Sequence, residues 1–443
     1  MKNFLWPVAI LIFYLLQAFD KVKDASSDVN FYLFVVIIFY AAYRLFNSKH
    51  IYSLDMFFWI FNLIFLGYTA SFQYLTASFP WSNKISDDIV FETNIYILIG
   101  FIVYDLIYYF YKPSVKSDER FKIAYPKFNF YYTGLAIFAL AWIFTYLSSG
   151  INFTRYDLAS QSGKQEAVSQ DQTLLVGITL RSIVLFFCIL NAYLLKAKKI
   201  APFFGLTVIT LSVLICFPTS VARNFGGVFY LGLCLNYFRT FKWKKLIPIT
   251  FILVFAVLFP ILTFARYDYF NAEYVMKNFS SMTSNAYMSG DFDAYSMFGR
   301  TVYYVQQHGI TYGRQLMGTL FFYVPRSIWP DKPYGSGYFI GEKLGLGFLN
   351  ISCPYMAEGF INFGLVGLVI FVAAIAALFK KLDSFYWIRV KLNNMNNFWV
   401  ILYPSLIGSF TFIMRGDLLS SAAYTTGLLA AALVMHFILR FKV

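Results

Sequence analysis

Charge is scarce in this chain of 443 residues: Asp, Glu, Lys and Arg make up only 13%, about half of the ~25% usual in soluble domains. That shortage excludes a disordered chain and a soluble multidomain enzyme. Cysteine is scarce as well. Of the four, Cys188, Cys216 and Cys234 sit in apolar runs and only Cys353 falls in a loop, so neither a disulfide framework nor a zinc spacing follows. No small-x-small cleavage site separates the first apolar stretch from Asp20, and residues 1–19 therefore read as an uncleaved first span. An internal repeat is also missing, which counts against a transporter built from two related halves.

What is abundant is apolar surface. Hydrophobic residues reach 59% and aromatics 22%, and the runs between charged clusters are long enough to cross a hydrocarbon core of ~30 Å as helices. They predict an all-α polytopic membrane protein with twelve spans, at 4–19, 29–46, 54–78, 89–111, 128–149, 173–195, 201–217, 225–238, 246–264, 359–379, 398–414 and 419–439. The eighth is short, and Pro248 and Pro260 mark the ninth as tilted, broken or kinked. Three regions result: spans at 1–264, one large loop at 265–358, and spans at 359–443.

The net charge of +14 would point to nucleic acid in a soluble protein, but topology accounts for it. With the N-terminus inside, the inner loops and termini hold 21 Lys and Arg against 14 outside, half of the latter in the one long loop. Long loops are largely exempt from the positive-inside rule, so both termini are expected in the cytoplasm. No nucleic-acid partner is implied.

An ordered loop as long as 265–358 is usually functional. Within it Tyr295, Phe298, Val302 and Val305 predict an amphipathic helix, opened by Asp291 or Asp293 and closed near Gly309. Leu316–Pro325 is too short to span and suits a dip into the interface. The loop reads as a folded cap.

Arginine is the basic residue favoured outside, at Arg155, Arg223, Arg266, Arg300, Arg314, Arg326 and Arg415. Its fork suits phosphate oxygens, and Arg223, Arg266 and Arg415 each end a predicted helix at headgroup depth; ordinary snorkelling is the alternative. Arg181 lies about 12 Å inside the sixth span, where it must reach an external cavity or a structural ion pair. Asp105 appears as the only other buried charge, offset from it by about 12 Å. Pro325–Arg326–Ser327–Ile328–Trp329–Pro330–Asp331–Lys332–Pro333 is a rigid basic and aromatic element fit for a glycosyl pyrophosphate, or a Pro-rich surface turn. Gly290–Asp291–Phe292–Asp293 has an Asp-x-Asp spacing that is more simply a helix cap than a metal site. Glu358 is either a base for an acceptor hydroxyl or a helix-end carboxylate, and His308 either a second candidate base or a residue interacting with the helix dipole.

The 325–333 segment, the Glu358–Gly364 stretch ending in Asn-Phe-Gly, Gly290–Asp293 and Arg415–Gly416–Asp417, set in this architecture, resemble the O-antigen polymerase (Wzy) group of oligosaccharide repeat-unit polymerases. The resemblance implies a glycosyltransferase of GT-C-like architecture in the bacterial inner membrane. It would join undecaprenyl-pyrophosphate-linked repeat units on the periplasmic side, without metal or other cofactor, and leaves room for a chain-length regulator protein as partner. Arg181, Arg223, Arg266, Arg326, Lys332, Arg415 and Trp329 would then bind substrate and pyrophosphate, with Glu358 or His308 as acid/base group. An O-antigen ligase or a lipid-linked oligosaccharide flippase are the alternative readings.

Overall fold

The structure, a computed structural model, describes residues 4–22, 28–81, 85–114, 128–151, 153, 170–237, 246–254, 258, 261, 277, 284–391 and 398–438. It is all-helical, 79% helix, with no strand among the described residues. In chain order the helices are α1 (Leu5–Val22), α2 (Val29–Phe46), α3 (Leu54–Leu75), α4 (Asp87–Phe110), α5 (Phe128–Ser149), α6 (Gln170–Lys196), α7 (Pro202–Ile215), α8 (Arg223–Tyr237), α9 (Leu246–Leu253), α10 (Ala294–His308), α11 (Arg314–Leu320), α12 (Ser336–Lys343), α13 (Tyr355–Lys391), α14 (Phe398–Arg415) and α15 (Leu418–Ile438).

Every predicted run carries a helix. Seven of the described helices are long and apolar enough to cross a membrane, namely α2, α3, α4, α13, α15, the Tyr131–Ser148 part of α5 and the Gly177–Lys196 part of α6. The chain is thus a polytopic α-helical membrane protein. α7, α8 and α14 are apolar but shorter.

Two apolar cores organise the bundle. The first surrounds α3, which is almost wholly buried among α2, α4, α10 and α13. The second surrounds α6, packed by α5, α7, α8 and α15. α14 joins them, because Tyr403 and Ile407 face the first core while Ile401, Leu402 and Leu406 face the second. α8 lies unusually close to α14: a side chain at Gly408 would come within 2.6 Å of the Val228 backbone. Without a hydrophobic force between helices in lipid, such close backbone approach is what holds them.

Buried polar groups clasp the helices at the end of the bundle away from the long loop. Arg44 Nε donates to Asp105 Oδ1 at 2.8 Å, and Tyr40 adds a bond of 2.6 Å to Oδ2. Asp105 is therefore the partner of Arg44, and it is not the only other buried charge, because Asp55, Asp293, Glu358 and Asp383 lie deeper. The Asp383 carboxylate on α13 accepts the N–H groups of Leu54 and Asp55 at 2.9 and 3.2 Å, together with the hydroxyls of Tyr108 and Tyr403. It thereby caps α3, whose first N–H groups would otherwise lack acceptors in lipid.

α13 contains a sharp bend. Phe363 and Gly364 leave helical geometry, with Gly364 at φ +62° and ψ −146°. A straight helix separates residues eight apart by about 12 Å, yet a side chain at Gly359 would lie 2.6 Å from the Gly367 carbonyl oxygen. Only glycine adopts this backbone region cheaply, so Gly364→Ala should destabilise the protein by about 1–3 kcal/mol. A thermal unfolding midpoint in detergent unchanged from wild type would contradict this.

Candidate functional site

The loop packs over one end of the first core and against α15, and four sequence segments far apart in the chain meet there. The 3-10 turn Gly290–Phe292 leads into Asp293 at the start of α10. Asp293 stands at the cap position, but its side chain makes no cap bond. Its Oδ2 accepts Trp81 Nε1 at 3.0 Å and Ser352 N at 3.3 Å, and its Oδ1 accepts Ser352 Oγ at 2.6 Å. Arg415, the last residue of α14, donates to the same Oδ1 at 3.2 Å, to Gly290 O at 2.7 Å and to Asp291 O at 2.9 Å. The Asp-x-Asp spacing is thus an arginine-clasped turn.

Glu358 lies beside this clasp in the first turn of α13, only 2% exposed. Its Oε2 accepts Ser336 Oγ and its Oε1 accepts Leu418 N, both at 2.7 Å. The carboxylate therefore binds the N-terminus of α15, a favourable place for negative charge. Asp417 caps the same helix, accepting Ser420 N at 2.8 Å and Ser420 Oγ at 3.0 Å. Gly335 packs directly on Asp417, where a side chain would come within 2.7 Å. Asn362 completes the group by accepting Leu316 N at 3.1 Å and donating to Glu358 O at 2.8 Å.

The Pro-rich segment just before Gly335 is braced by its own charges. Arg326 Nη1 donates to Lys332 O at 2.6 Å, and its guanidinium stacks 3.8 Å from the Tyr334 ring centroid. Lys332 Nζ donates to Phe322 O at 2.6 Å and Val324 O at 3.0 Å. Trp329 is half-buried, and its backbone N–H donates to Pro325 O at 3.0 Å. His308 is exposed at the end of α10, beside the Tyr304 ring.

Two of the other predicted ligands stand on helices of the second core. Arg181 is half-buried on α6 and Arg223 opens α8; Arg266 lies outside the described residues. The neighbours Ser182 and Phe225 line one small cavity with Val228, Ser409, Phe412 and Thr425, with room for about one water molecule. Phe412 links this cavity to the polar cluster, since its ring lies against Gly416, next to Arg415. The backbones of Arg181, Arg223 and Arg415 thus approach one region between α6, α8 and α14.

Burial shapes the charges here. It pushes the Asp417 carboxyl above the usual carboxylate range, against the opposing bonds from Ser420 and Leu419. It also pushes the Arg300 guanidinium on α10 down to about 10, against the charge of Asp293. For Asp417 the folded state holds its proton to higher pH than the unfolded state does. Stability from this residue is therefore greatest below the unfolded value of about 3.9 and falls as pH rises through the raised folded value. Asp417→Asn should flatten that part of the profile, and a thermal midpoint difference between wild type and variant that is constant from pH 4 to 8 would refute it.

Trp81, Ser336 and Ser352 carry no signal in the sequence, and Arg300 stands there only as one of the outer arginines. None belongs to a local pattern, and each enters the cluster only through long-range packing. Among the described residues, no group of three or more His, Cys, Asp and Glu is gathered as a metal ion requires. Compared with known proteins, the chain matches no family model, no curated protein and no solved structure.

Proposed function

We propose that this protein is a membrane glycosyltransferase that joins polyprenyl-pyrophosphate-linked oligosaccharide repeat units into a surface polysaccharide. The observation that carries the reading is the meeting of segments 290–293 and 335–336 of the loop with 358–362 and 415–418 at the helix ends. Three of them overlap segments on which the resemblance rests, and the fourth, Gly335–Ser336, directly follows the Pro-rich one; a buried carboxylate beside an arginine at the end of membrane-spanning helices suits glycosyl transfer.

In this reading the site faces the periplasm and both termini are cytoplasmic. Glu358 receives the proton of the attacking hydroxyl, which takes the place of Ser336 Oγ at Oε2. Arg181, Arg223 and Arg415 approach the leaving pyrophosphate from the neighbouring helices, where fixed cations stabilise charge as the glycosyl bond breaks. Arg326 and Lys332 act one step back, by holding the backbone that places Gly335 and Ser336. A ligase or a flippase would occupy the same membrane, and a chromosomal deletion separates them. Surface glycan reduced to a single repeat unit on lipid A core is expected for a polymerase, whereas bare core would reject this reading in favour of a ligase or flippase.

A further inference from the structure

The part of the loop between α10 and α12 carries an apolar surface that a cap standing in water does not need. Tyr312 is 83% and Ile328 75% exposed, with Leu320 and Tyr323 both more than half exposed. From Gln315 to Pro325 there is no charged residue. Exposed apolar side chains concentrated in this way mark contact with another apolar phase.

The depth of the segment identifies that phase. It docks on the bend of α13: Thr311 N donates to Ile361 O at 2.8 Å, Leu316 N to Asn362 Oδ1 at 3.1 Å, and Gly313 lies against the Phe363 ring. From Lys380, the first charge after the bend, back to Leu365 is about 22 Å of helix. That falls short of the ~30 Å hydrocarbon core, so the bend lies within the core. Beyond it Leu365, Val366 and Ile370 are exposed as lipid-facing residues are. α11 also packs against α15, a second spanning helix.

Much of its backbone is provided for without water, as lipid demands: the N–H groups of Phe321, Phe322, Val324, Ile328, Trp329 and Lys332 all donate within the segment. Thr311 takes the Ile361 carbonyl that the bend releases from helical bonding. Lys332 and Arg326 turn inward to cover the carbonyls of Phe322, Val324 and Lys332, and Pro325, Pro330 and Pro333 have no N–H to satisfy.

We propose that residues 311–333 form a re-entrant hairpin embedded in the bilayer leaflet at the loop end, its exposed apolar side chains in contact with lipid acyl chains. This is independent of the glycosyltransferase reading. The test uses the full-length protein in lipid nanodiscs, with Cys234→Ser removing the exposed native thiol and nitroxide labels at Leu320→Cys, Tyr323→Cys or Ile328→Cys. Ile370→Cys on α13 and Glu342→Cys on α12 serve as lipid and aqueous standards in the same background. The ratio of oxygen to nickel-chelate collision rates at 320, 323 and 328 should approach that at 370 and exceed that at 342 several-fold. Ratios matching 342 at two of the three positions would overturn the proposal. The two standards, read on protein that runs as a single species, establish that each preparation is folded, and using three hairpin positions guards against one label disturbing the turn.

Discussion

On the proposed glycosyltransferase function, Glu358→Gln is expected to lower polymer-forming turnover about 100- to 10,000-fold, the span of general acid–base contributions, while the protein remains folded. The substitution isolates proton transfer because both observed contacts survive it. The Gln carbonyl accepts Leu418 N as Oε1 does now, and its NH2 group donates to Ser336 Oγ, a hydroxyl able to accept as well as donate. Only the capacity to take a proton is lost. Glu358→Ala, by contrast, removes the acceptor for Leu418 N and should damage folding as well as activity. Polymer length and turnover per folded molecule are the measurements. Near-normal turnover from Glu358→Gln would reduce Glu358 to a brace for α15.

The second large effect is expected at Arg415, and on stability. Arg415→Met withdraws the cation from Asp293, whose carboxylate is 1% exposed, and frees the carbonyls of Gly290 and Asp291. Removing one partner of a buried ion pair costs ~3–5 kcal/mol. The Arg415 side chain is 29% exposed, which favours the lower end, about 3 kcal/mol. Asp293→Asn keeps an acceptor for Ser352 but removes the stranded charge, so the double variant should recover part of the loss. Unfolding in mixed micelles across the double-mutant cycle gives the coupling. Additive single effects would mean that Arg415 and Asp293 do not support each other. Arg415→Lys retains a charge but cannot bind two carbonyls and a carboxylate together, and should fall between wild type and Met.

Much of the fold was legible because its causes are local. A run of apolar residues must bury its backbone hydrogen bonds internally in lipid, so helices appear where the apolar runs stand. α10 was readable for the same reason. Tyr295, Phe298 and Val302 are buried at helical spacing, and Gly309 ends the helix at φ +78°. Asp293 shows the limit of such reading: its position is that of a cap, but its carboxylate binds Trp81, Ser352 and Arg415.

The charged residues show why the site was less legible. A charge in lipid must find a partner, and the sequence does not say which. Asp105 pairs with Arg44 of another helix, 61 residues away. Asp383 caps a helix that begins 329 residues before it. Arg326 and Lys332 look like ligands in the sequence because they are basic and rigidly placed, and in the structure they hold backbone carbonyls. By itself the amino-acid order determined that this chain lives in a membrane as a set of helices, with one ordered loop where polar and aromatic residues gather. The tertiary structure decided which helices surround α3 and which surround α6, where α13 bends, and that Glu358 meets Ser336 and the start of α15. The physical reason is range: hydrophobicity and helix propensity act within a few residues, whereas the partner of a buried charge is chosen by packing between helices distant in the chain.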